Sequence, residues 1–186
     1  MPSVHVIFCH PDPDSFTRRV LDAFLGGVTG AGHTATVSDL YLLGFHPEMS
    51  LAEYRRESGA HPETVLPDDV AAEHAKLSAA DVWAFVYPVW WNDCPALLKG
   101  WFDRVWTVGV AYRPMTLRPA RKALVICTCG YDEEGLGERY SAMRTTMVDD
   151  RIGARAEQVE FHLLGGRVNG AGDRHLELAT HLGRTV

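Results

Sequence analysis

The residues best equipped to do chemistry fall in three short segments. His10-Pro-Asp-Pro-Asp-Ser-Phe-Thr17 combines an imidazole, two carboxylates and two hydroxyls. Pro88-Val-Trp-Trp-Asn92 sets adjacent indoles beside an amide, and Cys127-Thr-Cys-Gly-Tyr131 carries thiols, a hydroxyl and a glycine. Hydroxyls at the start of a helix suit a phosphate, because a helix N-terminus offers N–H groups and the positive end of its dipole. Ser15 and Thr17 would donate there, with His10 adding a cation or an N–H. Asp12 and Asp14 would repel phosphate unless they turn away. Two consecutive tryptophans, Trp90 and Trp91, suit a flat aromatic ligand; one alone would be explained as well by core packing. Gly130, at a strand end, would let backbone approach that ligand closely. Each segment also has an ordinary reading: helix capping by Asp14 or Ser15, indoles packed in a core or interface, and a plain turn.

These segments need a frame that brings them together. Apolar runs at Val4–Cys9, Thr34–Ser38, Asp81–Tyr87, Ala123–Cys127 and Val159–Leu164 predict five strands. Helical spacing predicts helices over Ser15–Leu25, Pro67–Leu77, Cys94–Trp106, Leu136–Ala156 and Asp173–Leu182. Gly26-Gly27 would end the first of them. Residues 41–66 read as irregular, with a helical turn at Ser50–Glu57. Leu97, Leu98, Trp101, Phe102 and Val105 form one buried stripe. Strands alternating with helices give right-handed crossovers and a parallel sheet covered on both faces. Strand order 2-1-3-4-5 fits five such units, and ligands then bind at the strands' C-terminal ends near the switch point between strands 1 and 3. All three segments follow strands 1, 3 and 4.

Composition narrows the function further. The chain has 186 residues, 46% hydrophobic and 23% charged, with net charge −6. A single domain over 1–186 is the reading, and no clustered basic face suggests nucleic acid. The four cysteines, Cys9, Cys94, Cys127 and Cys129, form no C-x-x-C pair. Free thiols in a reducing cytosol are the simplest account. With neither a signal-peptide pattern nor a long apolar run, the expectation is a cytoplasmic protein that is not membrane-embedded. Walker A and G-x-G-x-x-G motifs are absent. Ser15 with His10 lacks the G-x-S-x-G elbow of a hydrolase.

Together the flat-ligand and phosphate elements point to a flavin. The chain resembles the flavodoxin-like NAD(P)H:quinone oxidoreductase family, which includes bacterial quinone reductases, the drug-modulator B type and potassium-efflux ancillary proteins. The resemblance is carried by His10-Pro-x-Pro-x-Ser-Phe-Thr17, Ser38-Asp-Leu-Tyr41, Phe45-His-Pro47, Tyr87-Pro-x-Trp-Trp91, Gly109-Val-Ala-Tyr112 and, most specifically, Pro95-Ala-Leu-Leu-Lys-Gly-Trp-Phe-Asp-Arg-Val105. It implies a flavin held at its phosphate side by His10, Ser15, Phe16 and Thr17. Pro88, Val89, Trp90, Trp91 and Asn92 would line one part of the ring, and Thr128, Cys129, Gly130 and Tyr131 another. Ping-pong chemistry is implied, with hydride passing from NADPH or NADH to flavin N5 and on to a quinone or similar aromatic acceptor. Tyr112 matches a position that meets substrate across a homodimer interface in relatives.

The loop after the fourth strand departs from the family's Thr-Thr-Gly-Gly, and the Tyr–His pair of the animal enzymes has no equivalent histidine between His74 and His162. Tyr131 or Tyr140 would stand in for it. The long segment from His46 to Pro67 resembles the FAD-binding members, with FMN as the alternative. Trp83, Trp101, Phe102 and Trp106 would serve either a homodimer face or the core. Two other roles fit the same resemblance: a flavoprotein regulatory subunit of a membrane transporter, and a tailoring redox enzyme of a biosynthetic pathway.

Overall fold

The computed structural model describes residues 1–166 and 172–186. Its elements are β1 (Ser3–Phe8), α1 (Phe16–Gly30), β2 (Thr34–Asp39), α2 (Leu51–Ser58), α3 (Asp68–Ala79), β3 (Val82–Pro88) and α4 (Ala96–Val105). There follow β4 (Lys122–Thr128), α5 (Glu133–Leu136), α6 (Glu138–Thr145), a π-helix (Thr146–Ile152), a 3-10 turn (Gly153–Arg155), β5 (Val159–Leu164) and α7 (Gly172–Arg184). The five strands form one parallel sheet in the order β2-β1-β3-β4-β5. The expected α/β topology is therefore the observed one.

Strand alternation divides the interior into two cores. Ile7, Cys9, Trp83, Phe85, Tyr87, Val125 and Cys127 face α4 and the aromatic cluster Trp101, Phe102 and Trp106. Val4, Val6, Phe8, Ala84, Val86, Leu124 and Ile126 face α1 and α7. Trp83, Trp101, Phe102 and Trp106 are all buried within the first core, so they supply no dimer face. Exposed large apolar residues lie elsewhere, many of them in the excursion after β2: Leu42, Leu43, Leu51, Tyr54 and Val65.

Several boundaries moved, for physical reasons. Gly26-Gly27 does not end α1, which runs on to Gly30. A Cβ on Gly27 would lie 2.1 Å from the Thr180 carbonyl oxygen, so this glycine serves close packing of α1 on α7. The turn expected at Ser50 is a full helix, α2, opened by a reciprocal capping box between Ser50 and Glu53. The single helix expected over Leu136–Ala156 is broken into four pieces. Gly137 (φ 55°) and Gly153 (φ 48°) take left-handed backbone at two of the breaks, a conformation glycine adopts at little steric cost. Within the stripe on α4, Leu97 is only half-buried, while Leu98, Trp101, Phe102 and Val105 are buried.

Candidate functional site

The C-terminal ends of β1, β3 and β4 meet at a cleft of about 640 Å³. It is lined by His10, Asp12, Asp14, Ser15, Phe16 and Thr17 from the first loop, Pro88, Val89 and Trp90 from the second, and Thr128, Cys129 and Gly130 from the third. Segments 78 and 40 residues apart thus form one site because parallel pairing sets their strands side by side. Cross-bonds knit the rims together. Val89 N–H donates to the Thr128 carbonyl at 2.8 Å, and Cys129 N–H to the Leu164 carbonyl at 3.2 Å. Thr17 and Thr128 join hydroxyl to hydroxyl at 2.8 Å, both buried.

The first loop is built from local side-chain bonds. His10 Nδ1 lies 3.0 Å from Asp12 N–H and 3.2 Å from the Asp12 carbonyl, so the imidazole is tied to the loop through Nδ1. Asp14 N–H donates to Asp12 Oδ1 at 2.9 Å, so Asp12 spends an oxygen on the loop itself. Ser15 is the N-cap of α1: its Oγ accepts from Arg18 N–H at 3.1 Å. Capping is therefore observed, and the Ser15 hydroxyl proton remains available to a ligand. Ser15→Ala is expected to lower stability by about 1 kcal/mol through loss of the cap, checked by denaturant melting; an unchanged midpoint would make the cap energetically idle.

The second loop makes a tight reversal. Trp90 N–H donates to the Asp93 carbonyl at 2.9 Å and Asp93 N–H returns the bond at 3.1 Å. Trp91 (φ 54°) and Asn92 (φ 61°) occupy the two central positions in left-handed backbone. Such turns normally take Asn-Gly; asparagine tolerates this backbone, whereas a tryptophan there costs on the order of 1 kcal/mol or more. Trp90 faces the cleft and packs edge-on to His10, ring centroids 6.2 Å apart. The turn carries Trp91 outward, where its side chain is 99% exposed.

Four anticipated residues therefore lie outside the cleft of one chain. Trp91 and Asn92 sit at the exposed tip of the turn, and Tyr131 is exposed beyond Gly130. Tyr112 is not part of this lining: its hydroxyl donates to Glu57 Oε2 at 2.6 Å, binding its loop to α2. Burial and the Glu57 carboxylate raise the Tyr112 pKa to about 12. Conversely, Asp12 and Asp14 join the lining although sequence reasoning counted them against phosphate. Burial pushes the Cys9 and Cys94 thiols up to about 12 and raises Cys127 as well, so these three stay protonated and chemically quiet. Among the described residues no group of three His, Cys, Asp or Glu could hold a metal ion.

The lining fits a flavin. One end offers the α1 N-terminus with the hydroxyls of Ser15 and Thr17; the other offers apolar walls from Pro88, Val89 and Trp90. Beside them, a Cβ on Gly130 would meet nothing within 4 Å, so backbone borders open space there.

Known proteins agree with this geometry. A family profile described as flavodoxin-like fold matches residues 2–151. An NAD(P)H:quinone oxidoreductase from Methanothermobacter marburgensis superposes with TM-score 0.94 at 43% identity, covering 99% of this chain and 95% of that one. NAD(P)H dehydrogenase [quinone] 1 of Rattus norvegicus is 32% identical over 154 residues, 73% of this chain and 55% of that protein. The chain spans 60% or less of the length of the first curated relatives it matches. An FMN-dependent NADH-azoreductase from Bacillus anthracis, solved in complex with FMN, shares the fold at TM-score 0.68 and 16% identity, covering 98% of this chain and 100% of that one. The chain belongs to the flavodoxin-like NAD(P)H:quinone oxidoreductase family.

Proposed function

We propose that the protein is a flavin-dependent NAD(P)H oxidoreductase that reduces a quinone or a similar aromatic acceptor. The observation that carries this reading is the convergence of a hydroxyl-bearing helix N-terminus with a Pro88–Val89–Trp90 wall in one cleft. When bound, the flavin accepts hydride from NADPH or NADH and passes reducing equivalents to the acceptor. The chain's residues bind and orient it. Ser15, Thr17 and His10 would hold its phosphate side, while Val89 and Trp90 would shield the ring from water. Cys129 and Gly130 would border the ring as well.

FAD is the flavin proposed, with FMN as the alternative that the Bacillus enzyme carries. The excursion after β2 is fastened to α4 and the loop that follows it: Arg104 of α4 donates to Glu53 and the His46 carbonyl, and Arg56 donates to the Val108 carbonyl. It contributes nothing to the cleft lining of its own chain. It would therefore cover an adenine from a second copy, which couples the FAD reading to a homodimer. The exposed Leu42, Leu43, Leu51 and Tyr54 supply apolar surface for that pairing, and Tyr112 would reach the acceptor across it. Among the described residues no helix is long and apolar enough to cross a membrane. The free cysteines accord with a cytoplasmic setting, and the one five-stranded sheet accords with one domain over residues 1–186.

The test is the visible spectrum of the purified protein, then anaerobic NADPH or NADH, then a panel of quinones. A yellow protein that bleaches and is recovered by one acceptor supports the reading; a protein that takes up neither FAD nor FMN overturns it. Stable association with a transporter and slow turnover with every acceptor would favour the regulatory-subunit role. Trp90→Ala is expected to raise the flavin Kd about tenfold, in line with lost aromatic contact. Trp91→Ala is expected to move that Kd less than about twofold, because a fully exposed side chain has no contact to lose. Equilibrium fluorescence titration reads both, and a reversed ranking would show that the second indole, not the first, forms the wall.

A further inference from the structure

The strained turn beside the cleft is held by a residue 58 positions away in sequence. Arg151 lies in the π-helix, and its residue is 7% exposed. Its Nη1 donates to Asp93 Oδ1 at 2.6 Å and its Nη2 to Oδ2 at 2.9 Å, a two-pronged grip on one carboxylate. Nη1 also lies 3.3 Å from Cys94 Sγ and 3.4 Å from Met147 Sδ. The guanidinium stands over the Phe102 ring at 5.5 Å, and the Arg151 carbonyl accepts from Trp106 Nε1–H at 2.6 Å. The grip is thus mounted on the aromatic core behind α4 rather than on another loop.

We infer that Arg151 is a positioning residue for the flavin: through Asp93 it locks the Trp90–Asp93 turn and so sets Trp90 against the cleft. The inference rests on the flavin reading above. Three observations converge on it. The turn places Trp91 in unfavourable left-handed backbone, a cost that an outside restraint offsets. Asp93 is the residue that closes the turn to Trp90 in both directions. Asp93 also accepts from Cys94 N–H at 2.6 Å, which ties the turn to the entry of α4. Arg is suited to this task because its fork matches both carboxylate oxygens, whereas Lys would offer a point charge.

Two measurements separate this role from plain stabilisation. The first needs no flavin: hydrogen exchange at the Trp90 and Asp93 amides of the apo-protein. In Arg151→Met those two amides are expected to exchange at least about tenfold faster, because the turn opens locally, while amides within β1 and β3 keep their protection. The second is flavin titration. Arg151→Met is expected to weaken FMN or FAD binding about tenfold, the effect of losing a charge-assisted contact, with Arg151→Lys between it and wild type. In a Trp90→Ala background the Arg151→Met change should add little, since both act on one contact.

Unchanged exchange at Trp90 and Asp93 would overturn the clamp. Faster exchange with unaltered flavin affinity, or fully additive losses in the double variant, would overturn its positioning role. Should Arg151→Met not fold, Asp93→Asn breaks the same grip from its half-exposed side and is read the same way. Wild-type protein that binds no flavin would defeat the earlier reading instead, and the exchange experiment would still report on the clamp.

Discussion

Glu73→Ala is expected to cost about 3–5 kcal/mol of stability, the penalty of removing one member of a buried charged network. Glu73 is 2% exposed between α3 and the sheet. Its carboxylate accepts from Ser38 Oγ at 2.9 Å, from Trp101 Nε1–H at 2.9 Å and from Lys76, and His5 Nε2 lies 4.0 Å away. Removal strands the buried Trp101 Nε1–H and takes one partner each from Ser38 and Lys76. Burial alone would raise the Glu73 pKa; His5, Lys76 and Trp101 outweigh it and bring it from 4.5 to about 2. A folded pKa below the unfolded one adds stability above the unfolded value and loses it as pH falls through the folded one. That contribution amounts to about 3 kcal/mol. It is complete above pH 4.5 and fades as pH drops toward 2. Thermal melting is expected to show a fall of roughly 10 °C at neutral pH and a flatter acid limb in the variant. Equal acid limbs in wild type and variant would remove Glu73 from the account of acid stability. Glu73 lies outside the cleft lining, so folded Glu73→Gln should bind flavin as wild type does.

The second large effect is expected at Gly100, within the block Pro95–Val105 that most specifically carries the family resemblance. A Cβ there would fall 2.3 Å from the Pro47 carbonyl oxygen and 2.5 Å from Pro47 Cα, closer than atoms can approach. Alanine gains up to about 1 kcal/mol of helix propensity over glycine, yet the backbone of Pro47 has to move to admit it. Gly100→Val is expected to lose about 3 kcal/mol through overpacking. It should also loosen the His46 carbonyl from Arg104, a bond of 2.7 Å. Denaturant melting gives the first result, and faster hydrogen exchange or proteolysis within residues 41–66 the second. A Gly100→Val variant as stable as wild type would mean that the excursion docks on α4 with slack. If the homodimer reading holds, this variant also loses flavin affinity, because the excursion that covers the partner's cofactor is displaced.

Much of this was legible in the chain itself. Alternating apolar strands and amphipathic helices determined the parallel sheet, since only one hand of crossover packs helices back onto it. The same logic placed the loops after strands 1, 3 and 4 at one edge, and twelve residues of those loops do line the cleft, Asp12 and Asp14 among them. Side-chain direction within a loop was not legible, because it depends on backbone dihedrals that neighbouring residue types do not dictate. Trp90 and Trp91 are chemically identical and adjacent, but left-handed backbone at Trp91 sends one indole to the cleft and the other to solvent. Gly26-Gly27 carried the signature of a helix end; only the closeness of α7 shows that Gly27 is there for packing. The grip of Arg151 on Asp93 and the donors around Glu73 join residues far apart in sequence. Local pattern carries no record of such pairs, and the folded sheet alone brings them within hydrogen-bonding distance.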